Sequence, residues 1–148
     1  MQIIGEVTVR LLKAGSRRVL REERQRNLIT DIGLEVAVGR LIDYEANRLT
    51  YLAVGTGATA PAAGNFKLVN EYARTPLYRI SGAGMVTTAA AFFTSAEAAA
   101  NIAEVGIFGG SATATRNSGR LFARALVSAN NSAGLYDIHV EWSFTFAR

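Results

Sequence analysis

The stretch "LYDIHVEWSFTFA", Leu135 to Ala147, decides the fold. Tyr136, Ile138, Val140, Trp142, Phe144 and Phe146 alternate with Asp137, His139, Glu141, Ser143 and Thr145. A period of two held this long is the repeat of a β-strand with one face in a core and the other wet or shared.

Working outward, the same β character fills most of the chain. "GRLFARALVS" (119–128) and "IAEVGIF" (102–108, ending at Gly109 and Gly110) read as strands, as do "MVTTAAAFFT" (85–94) and "RLTYLAV" (48–54, ending at Gly55). "RTPLYRI" (74–80) reads as a short strand or an extended arm. "TSAEAAANIAE" is rich in alanine, yet Ser95 and Asn101 bracket it and β pattern resumes on both sides, so a loop or a single turn is expected. Near the start, "EVTVRLL" (6–12) alternates, "KAGS" turns, and "RRVLREERQR" (17–26) returns as a charged strand, which predicts an exposed hairpin. Thr30 or Asp31 can cap one amphipathic helix over Asp31–Asp43, in which Leu34, Val38, Leu41 and Ile42 recur at helical intervals. Strands joined by polar turns with one early helix predict a mainly β, α+β fold. The expected form is an antiparallel sandwich or open barrel, with the helix over one end. The expected division is a charged N-terminal hairpin or docking arm over 1–26 and a β-rich core over 27–148.

Composition agrees with one folded domain: 148 residues, 49% apolar and 19% charged. There is no cysteine, which removes disulfides, thiolate nucleophiles and most structural zinc arrangements. No run reaches the roughly 20 apolar residues of a membrane span, and no basic segment precedes the first apolar residues. The expectation is a chain made and used in a cytoplasm, with no membrane partner. The net charge of +4 lies wholly in residues 1–26, where seven basic residues (Arg10, Lys13, Arg17, Arg18, Arg21, Arg24, Arg26) face three glutamates.

The search for chemistry yields mostly exclusions. "YLAVGTGATAPAAG" (51–64) has the Gly-x-Gly of a phosphate loop but neither a following Lys-Ser/Thr nor a helix opened by a third glycine, so it reads as a turn. His139 is the single histidine, with Asp137 and Glu141 two residues away on the same strand face. That spacing can orient an imidazole, but a solvated strand face is the simpler reading. No Gly-x-Ser-x-Gly elbow accompanies it, and no metal-ligand spacing occurs. The sequence therefore predicts no enzyme, no catalytic or metal-binding residue, no cofactor and no small-molecule substrate. The basic segment is a candidate contact surface for a protein neighbour. Nucleic acid is a weaker alternative, since aromatic residues for base stacking are missing and Glu22 and Glu23 dilute the charge.

The succession "NLITDIGLEVAVGRLI", "YLAVGTGATAPAAGNFKLVNEYART", "NIAEVGIFGGSATATRNSGRLFARALVS" and "IHVEWSFTF" resembles small virion proteins of tailed bacteriophages. It is similar both to head decoration proteins and to N-terminal domains of tail fibres. The resemblance spans about residues 27–147 and lies in order and spacing. It implies a structural protein of the virion, assembled in the host cytoplasm, that would bridge capsid subunits as a trimer. A tail adaptor, collar or fibre-base module is the alternative. It further implies that Gly55, Gly57, Pro61, Asn70, Glu71 and Arg74 are structural loop positions, and that Glu104, Gly106 and Phe108 belong to the next strand of the pattern. The partner would be the major capsid protein or tail subunits, gripped by Arg10, Arg17, Arg18, Arg21, Arg24 and Arg26.

Overall fold

The structure is a computed structural model describing residues 2–148. In chain order the elements are β1 (Gln2–Lys13), β2 (Val19–Arg26), β3 (Leu28–Ile29), α1 (Asp31–Gly39), β4 (Leu49–Gly55), β5 (Glu71–Pro76), β6 (Arg79–Ala83), β7 (Val86–Phe93), β8 (Asn101–Gly109), β9 (Arg120–Asn130) and β10 (Tyr136–Ala147). They form two five-stranded sheets, ordered β2-β1-β10-β7-β6 and β3-β9-β8-β4-β5, in which every paired strand is antiparallel. The protein is a β-sandwich with one helix, as the alternating strands predict.

The alternation of β10 sets the core. Ile138, Val140, Trp142 and Phe144 are buried against the second sheet, and β1 matches them in register with Leu11, Val9, Val7 and Gly5. Phe122 of β9 meets Phe144 edge-on at 4.9 Å between ring centroids. The second sheet is covered on its outer face as well. There Ala53, Leu68, Phe108 and Leu121 form a smaller apolar cluster beneath the segment 56–70. This double cover explains why "IAEVGIFGG" is an almost continuous apolar run and not an alternating one.

Three expectations need correction. The boundary at residue 26 does not follow the packing, because β1 pairs with β10 from Gln2↔Ala147 to Lys13↔Tyr136 and carries buried core residues. The N-terminal hairpin does form, but only β2 is its exposed half. The segment 74–80 is neither one strand nor an arm: its start ends β5 in one sheet, and after Leu77 and Tyr78 the chain enters β6 in the other.

The third correction concerns the helix. It ends at Gly39, and residues 40–47 continue as turns, with Leu41 and Asp43 donating backbone N–H groups to Val38 and Gly39 carbonyls. Its buried residues are Gly33 and Val36, while Leu34, Val38, Leu41 and Ile42 face solvent. The N-cap causes this inversion. Thr30 Oγ1 accepts from Gly33 N–H and donates to the Leu121 carbonyl, and Thr30 N–H donates to the Phe122 carbonyl. Thus the first turn is fastened to β9 with Gly33 against the Phe122 backbone, where no side chain fits. Anchoring at the cap, not the apolar stripe, chooses the buried face.

Candidate functional site

The glycine-bearing stretch after β4 holds an anion, and the anion is the chain's own. Glu104, fully buried on β8, accepts from Gly57 N–H (3.1 Å) and Asn70 N–H (2.8 Å) with Oε1. Its Oε2 accepts from Val69 N–H (3.1 Å) and Arg124 Nε–H (2.8 Å). Arg124, equally buried, also donates to the Thr59 carbonyl (2.6 Å) and Asn65 Oδ1 (3.2 Å). These bonds fold residues 56–70 over the outer face of the second sheet. Two glycines are required by proximity: a Cβ on Gly57 would stand 2.5 Å from Glu104 Oε1, and one on Gly55 would stand 2.5 Å from the Asn70 carbonyl oxygen. Pro61 lies half-buried in the same segment.

A second ion pair fastens the other outer loop. Glu71 and Arg74 on β5 pair through two hydrogen bonds of 2.7 and 3.0 Å. Arg74 then donates to the Thr113 and Ser118 carbonyls, with its guanidinium carbon 4.6 Å from the centroid of the Phe108 ring, and Glu71 accepts from Asn117 N–H. The structure thus brings Gly55, Gly57, Asn70, Glu71, Arg74 and Glu104 together as loop fasteners. Arg124 was not singled out in the sequence. The only available signal was an arginine within the apolar run "LFARALV".

The arginines expected to make contacts fall into two groups. Arg10 (2.8 Å) and Arg24 (3.3 Å) share Glu22, and the Arg10 hydrogen bond holds the Glu22 carboxyl below its ordinary value. Arg17, Arg18, Arg21 and Arg26 form no ion pair among the described residues. Since β2 is the edge of its sheet, these four cations flank unpaired backbone groups.

At the other edge of interest, the α1 shoulder exposes large apolar side chains. Leu41 is 89% and Ile42 87% exposed, with Val38, Leu34 and Tyr44 beside them. Between this shoulder and the first sheet lies a crevice of about 360 Å³ whose lining includes Val36, Arg40, Tyr44, Ile80, Phe144 and Phe146.

On the outer face of the first sheet, His139 lies in a row with Arg10 and Phe92. Arg10 Nη1 stands 3.4 Å from His139 Nδ1, and a guanidinium can only donate, so Nδ1 accepts. Nε2 therefore carries the proton and donates to Tyr78 Oη at 2.6 Å, leaving the Tyr78 hydroxyl hydrogen free to donate elsewhere. Burial first, and the Arg10 charge next, push the imidazole below its ordinary pKa of 6.5, against an opposing pull from Glu141. The expected acidic neighbours are engaged otherwise. Asp137 accepts from Gly15 and Ser95 N–H, and Glu141 pairs with Arg79 at 2.6 Å.

No family model, curated protein or solved structure matches the chain.

Proposed function

We propose that this chain is a structural subunit of a tailed-phage virion, a head decoration protein that bridges capsid subunits. The observation that carries the reading is the exposed apolar shoulder formed by Leu34, Val38, Leu41 and Ile42 on a sandwich whose core is otherwise closed. Each such side chain gains about 1.5–3 kcal/mol when taken from full exposure to full burial, a gain available here only through a partner. The free basic edge β2 supplies a second contact, whose cations would steer the subunit to an acidic neighbour. The α1 shoulder is anchored to the sandwich through the Thr30 cap on β9, and β2 through its pairing with β1, so both surfaces sit on a preorganised scaffold.

The unpaired state of Arg17, Arg18, Arg21 and Arg26 also favours a second reading, contact with nucleic acid. One experiment separates the two. Separated heads and tails, with the heads emptied of DNA, are incubated with the original chain and with Arg17→Glu/Arg18→Glu/Arg21→Glu. The decoration reading expects binding to emptied heads and its loss in the variant. Binding to tails alone would assign the tail adaptor role. If emptied heads hold both chains equally while DNA affinity falls in the variant with a steep salt slope, nucleic acid is the partner.

A further inference from the structure

Above His139 the outer face of the first sheet opens into a cleft of about 880 Å³, a size that accommodates two or three sugar rings. Tyr78 and Phe92, 59% and 40% exposed, stand in its wall. Exposed rings on a sheet face offer apolar area to the C–H face of a pyranose, and the free Tyr78 hydroxyl hydrogen adds a donor. The Ser16 hydroxyl accepts from Arg18 N–H and keeps its own hydrogen for a ligand, whereas the Thr94 hydroxyl is spent on Glu97. The charge balance is positive. Glu22 is neutralised by Arg10 and Arg24 and Glu141 by Arg79; Asp137 accepts two backbone N–H groups and keeps its negative charge, and the Arg17 guanidinium in the lining has no carboxylate partner among the described residues.

We infer that this cleft binds a carboxylated saccharide, such as a uronic acid unit of an acidic surface polysaccharide. Phe92 and Tyr78 pack against the sugar rings, and the Arg17 fork takes the carboxylate. Arg10 acts at a distance, holding His139 in the tautomer that turns the Tyr78 hydroxyl hydrogen outward. This site shares Arg17 with the docking reading but does not involve the α1 shoulder, and its test uses the isolated chain, so its failure is distinguishable from failure of the virion reading.

The test is calorimetric titration of the isolated chain with trigalacturonate, its carboxyl-reduced neutral counterpart and adenosine monophosphate. Trigalacturonate should bind, and the reduced trisaccharide should bind at least about tenfold more weakly for want of the charge-assisted pair. Arg17→Gln should weaken trigalacturonate binding about tenfold and Phe92→Ala about fivefold, whereas Lys67→Gln, which removes the same charge elsewhere, should leave it unchanged. Both cleft residues are exposed, so the variants remain folded, as a circular dichroism melt verifies. The proposal is overturned by absence of trigalacturonate binding at millimolar concentration, by equal affinity for the reduced sugar, by tighter binding of the nucleotide, or by equal losses in Arg17→Gln and Lys67→Gln.

Discussion

Replacing Glu104 by glutamine changes almost no volume and removes one charge, yet the geometry leaves the new amide no tolerable orientation. Oε1 accepts two backbone N–H groups and Oε2 accepts one N–H and the Arg124 guanidinium. Whichever oxygen becomes an NH2 group then points at two donors, and Arg124, with no exposed side-chain surface, loses its counter-charge. Breaking one partner of a buried pair costs about 3–5 kcal/mol, a large share of the roughly 5–15 kcal/mol that holds a domain folded. Urea denaturation of Glu104→Gln should therefore show a lowered midpoint with a similar slope, and amide exchange at Gly57, Val69 and Asn70 should accelerate first. Removing both charges in Glu104→Leu/Arg124→Leu should cost less than the sum of the single losses, since neither charge is then left unpaired. A Glu104→Gln variant within about 0.5 kcal/mol of the original, with those three amides still protected, would refute the view that this carboxylate fastens the loop.

Trp142 is fully buried and its indole N–H has no acceptor, so Trp142→Ala should cost about 3–5 kcal/mol in urea denaturation while Trp142→Phe costs far less. Removing residues 1–13 should abolish cooperative melting, because β10 would lose one of its two partners along nearly its whole length together with the buried Val7, Val9 and Leu11. His139 is packed against Arg10 and Tyr78, with Glu141, Arg79 and Arg17 nearby, and its folded pKa lies below 6.5. The unfolded chain then takes the proton more readily, so stability from this group is complete above pH 6.5 and is lost as pH falls through the lowered folded value. Melting curves of the original chain and His139→Gln should diverge in that window. Parallel curves between pH 7.5 and 5 would show that the imidazole is not shielded.

What the sequence reveals follows the range of the interactions involved. β10 was legible because its alternation is local and its two faces meet different surroundings. The helix face was misread because burial there is chosen by Thr30 and Gly33 meeting β9, residues about ninety positions away. Arg124 was hidden in a similar way, since its partners Thr59, Asn65 and Glu104 lie 65, 59 and 20 positions away and converge only after the loop closes over the sheet. Gly55 and Gly57 were expected to be structural loop positions, but what they make room for, the Glu104 carboxylate and the Asn70 carbonyl, lies on other segments of the chain. The continuity of β1 with the core was masked by charge: the seven basic residues of 1–26 suggested an exposed arm, although Val7, Val9 and Leu11 alternate with Thr8 and Arg10 and are buried.

The absence of native cysteine allows the docking face to be tracked with a single label. Ile42→Cys on the α1 shoulder and Ala133→Cys on an exposed turn should react with a maleimide at similar rates in the isolated chain, since both positions are open to solvent. After binding to emptied heads, labelling at Ile42→Cys should slow by about tenfold or more, the effect of burial in a closed contact, while Ala133→Cys continues to react. Unchanged labelling at Ile42→Cys in a particle that carries the chain would mean that the apolar shoulder is not what the shell covers, and the decoration reading would lose the observation it stands on.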